Sequence, residues 1–445
     1  DAKRWSFQSD FGTQRLQQRL DYLLDTREQP AFDGRDREGC IRRLEQGHLP
    51  LIHAEWYTGP MQFRHSLVTT TLLGDYGDDV TRKGDETVVL LGRLAVTNTD
   101  GQTRTATLNL RVHDKSPISL DPDGVMRIER PSNRPVPEGL TALRGVISND
   151  KPSGGGITGW TVQRGDEPED HPILRWQAEL RPGETRLMYF KTPFVELLEP
   201  QELTRIREIS YEVEAPAIMK YWQTRLGRGM TLDVPDTAIM DFYRANLWHN
   251  IITTDRDPET GLYNQGVGTV GYRVFANETV MIARSMDMRG EHVEAERFIE
   301  PMLRFQGHEP LKGRFSTKDG VFHSAGAYTH GEYAMNHGFT MWGIADHYLM
   351  TRDRRYLDRV APQLIKGCDF LINERKSTMG KQGSPRPSIH GMAPACSLED
   401  VVEYQYWFAT NAYFHLGMKR VAQALADAGH PEAERIAVEA EEYRN

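Results

Sequence analysis

The chain has 445 residues, of which 38% are hydrophobic and 26% are charged, a balance typical of a globular protein with two or three domains. Its formal net charge of -9 and its lack of a Lys/Arg cluster exclude a surface that follows a phosphate backbone, so nucleic acid is not an expected partner. No apolar run approaches the roughly 18–20 residues that span a bilayer, so the sequence predicts no membrane partner and leaves the compartment open.

The first strand signals lie between residues 87 and 112. In 105–112 apolar and polar side chains alternate, which is the pattern of a strand with one buried face. A second strand-like run, 87–97, precedes it across 98–101, whose sequence Asn-Thr-Asp-Gly is a turn signal. The pattern predicts two strands joined by a turn.

A similar pattern follows in 174–190. Alternating apolar residues in 174–180 are separated from the run 187–190 by Arg-Pro-Gly-Glu at 181–184, another turn signal. We interpret this pair as a hairpin. Repeated half-buried strands with turns between them favour a β-sandwich, and a short helix is predicted before it at 12–26.

Beyond residue 197 the apolar spacing becomes helical. About seven helices are predicted after a helical linker, arranged as successive hairpins, the last of the long ones over 404–426. The predicted domains are an N-terminal helical or extended prelude (1–49), a β-sandwich (50–197), a helical linker (198–234) and an all-α domain (235–445).

Three segments between the predicted helices are too long for simple connections: 255–275, 306–333 and 376–403. Loops of that length commonly carry function. They are rich in Tyr, His, Asn, Glu and Gly, the residue types that contact sugar hydroxyls and the apolar faces of sugar rings. The functional site is therefore expected in these loops.

Three local phrases carry a family resemblance: Phe275-Ala276-Asn277-Glu278, Asn336-His337-Gly338-Phe339 and Gly391-Met392-Ala393-Pro394, each leading into a predicted helix. With the domain order, they make the chain resemble the six-hairpin, (α/α)6-barrel glycosidases of the glucoamylase and maltose-phosphorylase type. The resemblance implies an N-terminal β-sandwich, a helical linker and an (α/α)6 toroid that residues beyond Asn445 would complete.

The resemblance implies a glycoside hydrolase acting on an oligo- or polysaccharide, with inversion and general acid–base catalysis. It places the general acid at the end of the loop 376–403, where we predict Glu399. Its neighbour Asp400 is the other carboxylate of this pair, although Ser397-Leu398-Glu399-Asp400 also matches a capping box for the following helix. Glu332 is the third catalytic candidate.

Polar and aromatic side chains of the same loops are the predicted sugar ligands. They are Tyr263, Gln265, Tyr272, Asn277, Glu278, Tyr328, His330, Asn336, His337, Trp342, Tyr404 and Trp407. No cofactor is expected. No metal is expected either, because the spacing of His308, His323, His330 and His337 matches no recognised ligand pattern. The three cysteines are interpreted as small buried residues.

Three alternatives remain open at this point. A polysaccharide lyase would use Tyr328, His330, Asn336 and His337 to abstract a proton beside a uronate. A sugar-binding protein without activity would fit Ala276-Asn277, which stand where the resembled family carries an Arg-Asp pair. Phosphorolysis is the third alternative, and formation of a homo-oligomer is left open.

Overall fold

The computed structural model describes residues 4–7, 20–32, 39–73, 86–112, 118–128, 143–149, 157–163, 172–268, 273–331, 333–380, 385 and 387–444. Contacts within these residues divide the chain into two compact units. Unit 1 comprises Asp1–Leu226 and Val234–Ala245, and unit 2 comprises Gly227–Asp233 and Asn246–Asn445.

Unit 1 is built mainly from antiparallel strands. They are β1 (Arg4–Phe7), β2 (Leu20–Asp25), β3 (Ile41–Glu45), β4 (Leu49–Thr58), β5 (Met61–Thr71), β6 (Val88–Asn98), β7 (Arg104–Val112), β8 (Ile118–Leu120), β9 (Val125–Ile128), β10 (Leu143–Asn149), β11 (Trp160–Gln163), β12 (Ile173–Leu180) and β13 (Thr185–Pro193). One sheet has the order β1-β2-β7-β12-β11 and the other the order β3-β4-β5-β6-β13-β10-β9-β8.

The two sheets share one core. Phe63 and Leu94 of the larger sheet are buried in the same cluster as Leu108 and Trp176 of the smaller one. Two apolar faces that bury each other in this way form a β-sandwich. The other face of the larger sheet is covered by two helices, α1 (Pro200–Glu208) and α2 (Tyr211–Leu226). The helical part of the predicted linker, up to Leu226, thus packs as part of unit 1.

The two predicted hairpins of the sandwich are wrong in their pairing. β6 and β7 lie in different sheets, as do β12 and β13. Instead β6 pairs with β13, and β7 pairs with β12. The two turns lie side by side, because the Gly183 amide donates to the Asn98 carbonyl (2.9 Å) and the Asn98 amide donates to the Glu184 carbonyl (3.0 Å). Each turn therefore carries the chain from one sheet to the other.

The helix predicted over 12–26 is also wrong where the structure describes it. Residues 20–25 form strand β2, which pairs with β1 and with β7. Leu24 is 3% exposed and belongs to the sandwich core. Burial against the facing sheet outweighs the modest helical preference of a leucine-rich segment. Residues 12–19 lie outside the described residues.

Unit 2 is mainly helical. Its elements are the end of α3 (Thr237–Ile252), β14 (Thr254–Arg256), β15 (Tyr263–Gln265), α4 (Ala276–Met288), α5 (His292–Arg304), α6 (Asn336–Thr351), α7 (Arg354–Arg375), β16 (Cys396–Leu398), β17 (Val401–Gln405), α8 (Phe408–Asp427) and α9 (Ala433–Arg444). Short 3-10 turns lie at Gly326–Tyr328 and Lys376–Thr378. Within the described residues, α3 to α9 match the predicted number of about seven helices.

Consecutive helices of unit 2 pack as hairpins, α4 with α5, α6 with α7 and α8 with α9. Helix α6 also packs against α4 and α8, and two glycines let it approach them closely. A Cβ atom at Gly343 would lie 2.8 Å from a Val280 methyl carbon, and one at Gly338 would lie 2.4 Å from the Tyr413 carbonyl oxygen. These close approaches pack α6 directly against α4 and α8.

Candidate active site

The loop before α8 contains a short β-hairpin rather than a helix cap. Leu398 pairs with Val401, so Glu399 and Asp400 form the two-residue turn between β16 and β17. The capping-box interpretation of Ser397 and Asp400 is therefore wrong, and the helix predicted from residue 404 begins at Phe408.

Backbone pairing with residues 312–314 explains why this segment is extended. The Ser397 amide donates to the Lys312 carbonyl (3.0 Å), and the Arg314 amide donates to the Ala395 carbonyl (2.8 Å). A third strand-like contact joins Gly313 to Cys396. These hydrogen bonds satisfy the backbone of 395–397 in an extended conformation, which a helix start would leave unpaired.

Glu399 stands exposed at the tip of this hairpin, with φ of +47°. That is the left-handed region, which favours glycine and costs a side-chain-bearing residue about 1–3 kcal/mol. Residues held in such conformations concentrate at functional sites, where the surrounding structure maintains them. Positive φ at the first central residue is what a two-residue hairpin turn requires, so the turn holds Glu399 in this conformation.

Glu278 supplies a second carboxyl at the same site. It is the third residue of α4, where the helix N-terminus ordinarily favours a charged carboxylate. Burial nevertheless raises the pKa of Glu278, and the charge of Glu399 raises it further. Its Oε2 atom is buried and accepts no hydrogen bond from the described residues. Glu278 is thus a half-buried carboxyl group with a raised pKa, beside a second, exposed carboxyl group.

Tyr333 joins the two segments electrostatically. Its hydroxyl donates a long hydrogen bond to Asp400 Oδ1 (3.4 Å). Burial raises the pKa of Tyr333, and the carboxylates of Asp400, Glu278 and Glu399 raise it further. Three carboxyl groups and one phenol from three different segments therefore meet at one place.

Aromatic rings line this place. The Phe275 ring lies 4.7 Å from the His330 ring and 5.9 Å from the Tyr333 ring, measured between centroids. Gly331, with φ of +65°, has its backbone directly against Phe275, where a Cβ atom would lie 2.1 Å from the ring. Leu398 and Tyr333 pack against an apolar cluster that includes Val280 of α4 and Phe339 of α6.

Several predicted sugar ligands near α4 carry buried acceptor oxygens. Asn277 is 6% exposed and Gln265 and Asn336 are fully buried, yet Asn277 Oδ1, Gln265 Oε1 and Asn336 Oδ1 accept no hydrogen bond from the described residues. Neighbouring groups of the same residues are hydrogen-bonded. The Thr279 hydroxyl donates to the Gln265 backbone carbonyl (2.9 Å), and the Asn336 side-chain NH2 donates to the Gly331 backbone carbonyl (2.6 Å). Such oxygens require donors such as water or hydroxyl groups.

His337 is not available to a ligand, contrary to the prediction from sequence. The Phe322 amide donates to its Nδ1 (3.0 Å), and its Nε2 donates to the Gly367 carbonyl (3.1 Å). The side chain is fully buried, and burial lowers its pKa to about 3. Both ring nitrogens are engaged in a neutral imidazole, so His337 connects α6 to its neighbours rather than to a substrate.

Trp342 and Tyr263 also have protein partners. The Trp342 indole donates to Asp346 Oδ2 (2.8 Å), and the Arg284 guanidinium lies 4.2 Å above its ring. The Tyr263 ring faces the guanidinium groups of Arg256 and Arg297 at 5.5 Å and 4.7 Å. These contacts give both rings a structural role.

The remaining candidates have different surroundings. Trp407 anchors the hairpin through a hydrogen bond from its indole to the Cys396 carbonyl (2.8 Å), whereas Tyr404 is exposed on β17. Tyr328 lies beside the site, its backbone carbonyl accepting from the Val274 amide (3.0 Å), and burial raises its pKa. Tyr272 and Glu332 lie outside the described residues.

Sequence reasoning missed Tyr333 and treated Glu278 as a sugar ligand rather than as an acid. A signal for Tyr333 was present, because it lies within the polar and aromatic stretch 328–337 from which the other candidates came. The pairing of Glu278 with Glu399 had no local signal, since the two residues are brought together by the packing of α4 and α6 with the loop before α8.

Unit 1 contains a separate cavity of about 280 Å³, lined by residues that include Thr26, Glu28, Thr58, Arg104 and Gln177. Its lining carries the single carboxylate of Glu28. Among its described lining residues this cavity therefore lacks the pair of carboxyl groups that is found in unit 2.

No protein-family model and no curated protein matches the chain. Among solved structures, it is similar to a protein assigned as a kojibiose phosphorylase from the human microbiome, with 9% identity over 100% of this chain and 63% of that one (TM-score 0.42). A family GH92 alpha-mannosidase from Bacteroides thetaiotaomicron matches with 9% identity over 94% and 55% of the two chains (TM-score 0.30). A polysaccharide lyase matches with 10% identity over 90% and 61% (TM-score 0.21). The chain spans less than two thirds of the length of each.

Among the described helices, none has the length and apolar character that a membrane span requires.

Proposed function

We propose that this chain is a carbohydrate-active enzyme, and specifically a glycoside hydrolase whose acid–base pair is Glu278 and Glu399. The observation that carries the proposal is the half-buried Glu278 carboxyl, whose Oε2 is unpaired among the described residues and whose pKa is raised by burial and by Glu399. Hydrolysis of a glycosidic bond needs a carboxyl group that holds its proton and a second carboxylate nearby.

The environments of the two residues suggest their roles. We assign Glu278 as the general acid, because burial and the charge of Glu399 raise its pKa and so favour the protonated form that a general acid needs. Glu399, exposed at the hairpin tip, is the base that removes a proton from the attacking water. This assignment replaces the role of acid that the family resemblance implies for Glu399. Asp400 acts as a positioning residue through Tyr333.

The helical hairpins of unit 2 support the same family of architectures. α4/α5, α6/α7 and α8/α9 are three antiparallel pairs in succession, with the candidate site formed by the loops that enter α4, α6 and α8. We propose that these pairs belong to an (α/α)6 toroid. Loops at one end of repeated hairpins would then enclose the sugar.

A lyase is the less favourable alternative. It requires a Tyr or His that accepts a proton, whereas burial raises the pKa of both Tyr328 and Tyr333 and so disfavours the tyrosinate form. His337 has both nitrogens engaged in the core. An unsaturated product that absorbs in the ultraviolet would nevertheless identify lyase activity directly.

The test compares Glu278→Gln and Glu399→Gln on aryl glycosides of neutral sugars, in α and β forms, with good and poor leaving groups. Loss of an acid slows turnover by about 10²–10⁴ for a poor leaving group and much less for a good one, because a good leaving group needs no proton. Loss of the base slows both. Glu434→Gln, an exposed carboxylate on α9, is the matched control. Full activity of both variants on both substrate classes would refute the assignment.

A further inference from the structure

Two arginines of unit 2 lie against one tyrosine ring. Arg256 on β14 and Tyr263 on β15 stand directly opposite each other in an antiparallel hairpin, so their side chains project from the same face. The Arg256 Cζ atom lies 5.5 Å from the centroid of the Tyr263 ring, and the Cζ atom of Arg297 on α5 lies 4.7 Å from it. All three residues are partly exposed, so solvent reaches this place. We name them the Arg–Tyr–Arg cluster (Arg256, Tyr263 and Arg297).

The Arg256 guanidinium has donors without acceptors. Its Nε and Nη1 atoms are buried, and neither donates a hydrogen bond within the part of the chain that the structure describes. The adjacent acid, Asp257, is engaged in its own turn, where it accepts from the Glu259 amide (3.1 Å) and the Thr260 hydroxyl (2.6 Å). Buried N–H groups of a charged side chain are costly without an acceptor, so these two require oxygen atoms from a ligand or from water.

Arg297 likewise forms no ion pair with an acid of the described residues. The two acids nearest to it on the same helix, Glu296 and Glu300, bind Arg359 of α7 at 2.7 Å and 2.9 Å. Both are therefore engaged on another face of α5. The positive charge of Arg297 faces the Tyr263 ring without a carboxylate to balance it.

A purely structural role does not account for two arginines at one ring. The ring attracts a cation but offers no carboxylate or carbonyl acceptor. Because both Cζ atoms lie close to one centroid, the two charges are at most about 10 Å apart, a distance over which physiological salt screens their repulsion only in part. The second cation thus weakens the packing contact that the first one makes. An anion bound by both guanidinium groups would replace this repulsion with attraction.

The β14–β15 hairpin is fixed in place by hydrogen bonds. The Gln265 side-chain NH2 donates to the Thr253 hydroxyl (3.1 Å), and the Gly266 amide donates to the Thr253 carbonyl (2.9 Å). The Gln265 backbone carbonyl in turn accepts from the Thr279 hydroxyl of α4 (2.9 Å). Donors on a hairpin held in this way lose little conformational freedom when a ligand binds.

The surrounding charges limit which anion fits the cluster. The planar fork of a guanidinium matches both a carboxylate and a phosphate. Burial raises the pKa of Tyr328, and the nearby carboxylates of Asp257, Asp255 and Glu259 raise it further. These three acids belong to the hairpin that carries Arg256, and they would repel a dianion more strongly than a singly charged group. A carboxylate therefore fits the cluster better than a phosphate.

We propose that Arg256 and Arg297 bind a carboxylate, and that Tyr263 positions the two guanidinium groups for it. The ligand class is a carboxylic acid with one negative charge at neutral pH, carried by an acidic sugar or by a small free acid. The inference goes beyond the acid–base pair of the proposed function and does not depend on it. It concerns binding alone, through ionic hydrogen bonds, and involves no bond-breaking step.

The experiment follows the arginine side chains directly by NMR of protein that contains nitrogen-15 arginine. The Nε–H signals of Arg256 and Arg297 are identified by their loss in Arg256→Lys and Arg297→Lys. Glucuronate, glucose, acetate and inorganic phosphate are then titrated separately at constant ionic strength. We expect glucuronate to shift both signals to saturation and glucose, its uncharged counterpart, to shift neither. Phosphate should bind about tenfold more weakly than glucuronate, because the acids of the hairpin repel its second charge.

Variants test the individual side chains, with the affinity measured by calorimetry. Arg256→Gln and Arg297→Gln should each weaken glucuronate binding about tenfold or more, and Arg256→Lys should weaken it as well, since an ammonium group lacks the planar fork. Tyr263→Phe should keep the affinity and Tyr263→Leu should lower it, because the ring alone positions the guanidinium groups. Arg304→Gln, which removes an exposed arginine from the same helix α5, is the matched control and should change nothing.

Thermal unfolding without ligand separates binding from packing. Arg297→Gln removes one of two like charges, so its Tm should be no lower than that of wild type while glucuronate binding is weakened. A lower Tm together with unchanged glucuronate affinity would assign Arg297 to packing and overturn the proposal.

The remaining results also decide the matter. Acetate that binds as tightly as glucuronate supports a free acid as the ligand, whereas weaker binding of acetate supports an acidic sugar. Equal shifts with glucose, tighter binding of phosphate than of glucuronate, no shift with either carboxylate, or unchanged affinity in Arg256→Gln overturns the site. Glu278→Gln and Glu399→Gln should leave the titration unchanged, so failure of the acid–base assignment would leave the carboxylate site standing.

Discussion

Glu278 on α4 and Glu399 at the tip of the β16–β17 hairpin are close enough that the charge of Glu399 raises the pKa of Glu278. The two carboxyl groups also differ in environment, because Glu278 is half-buried and Glu399 is exposed. Burial disfavours the charged form of the first group, and this difference is the basis of the roles proposed above for the two residues. The pKa of Glu278 and the conformation of Glu399 can be tested separately.

The first prediction concerns the titration of Glu278 itself. Glu399→Gln removes a negative charge that disfavours ionisation of Glu278, so the pKa of Glu278 should fall toward its ordinary value without reaching it, since burial remains. Carbon-13 NMR of the glutamate carboxyl groups would follow this change. Glu434→Gln should leave the Glu278 titration where it is, and an equal pKa in wild type and Glu399→Gln would contradict the coupling.

The second prediction concerns stability and pH. Because folding raises the pKa of Glu278, its contribution to stability is fully present below the unfolded pKa, near 4.5, and is lost as pH rises through the folded pKa. Glu278→Gln should therefore have a higher free energy of unfolding than wild type at pH 7, and the difference should shrink below pH 4.5. Urea denaturation at both pH values measures it. A difference that does not depend on pH would show that charge is not the cause.

The third prediction uses the left-handed conformation of Glu399. Glycine adopts φ of +47° without strain, whereas alanine does not, so Glu399→Gly should be more stable than Glu399→Ala by about 1 kcal/mol. Both variants lack the carboxylate and should lose turnover equally. Chemical denaturation together with the aryl glycoside assay separates the two effects. Equal stability of the two variants would mean that the turn relaxes when the side chain is removed.

The fourth prediction separates His337 from the sugar site. His337→Ala removes a buried ring that is packed among Phe322, Phe370 and Phe414 and leaves the Phe322 amide without an acceptor. We expect a loss of about 3–5 kcal/mol in the free energy of unfolding.

The matched control is His249→Ala, which truncates an exposed histidine near the end of α3, outside the candidate site, and should cost less than about 1 kcal/mol. A His337 variant that keeps wild-type stability and loses sugar binding would return this residue to the site. Denaturation curves that report on unit 2, together with retardation of the chain in native gels that contain soluble starch, laminarin or mannan, distinguish the two results.

The fifth prediction concerns a buried ion pair in unit 1. Arg144 and Glu196 lie 3.1 Å apart, with side chains that are 4% and 2% exposed. Removing one partner leaves the other charge buried, so Arg144→Met should cost about 3–5 kcal/mol. The double variant Arg144→Met/Glu196→Leu should recover much of that loss, because no unpaired charge then remains. Additive losses in the double variant would show that each side chain acts through other partners.

The strands of the sandwich were readable from the sequence because alternation depends on neighbouring residues alone. Their pairing was not, since the turn signal at 98–101 is compatible both with a hairpin and with a crossing between sheets. Burial against the facing sheet decides between the two, and it involves residues far away in the chain. The segment 20–25 was misassigned for the same reason, because its pairing with β7 outweighs its local preference.

The side chains of the candidate site were foreseen from the sequence only in part. The long loops and their polar, aromatic composition directed attention to Glu399, Asp400, His330 and Asn277, but composition does not reveal which polar groups are already engaged. His337 illustrates this, because its two hydrogen bonds come from segments outside its own loop. Ser397-Leu398-Glu399-Asp400 matched a helix cap since the pattern contains no information on its pairing with residues 312–314.

The two adjoining turns of the sandwich also have a kinetic consequence. Each passes the chain between sheets, so β6 meets β13 and β7 meets β12 only after the intervening residues have been brought together. The central pair of each sheet joins segments that are far apart in the chain, and the loop closures that both pairs require are entropically costly. Refolding of unit 1 should therefore be slow and concerted, with both sheets acquiring protection from hydrogen exchange in the same phase.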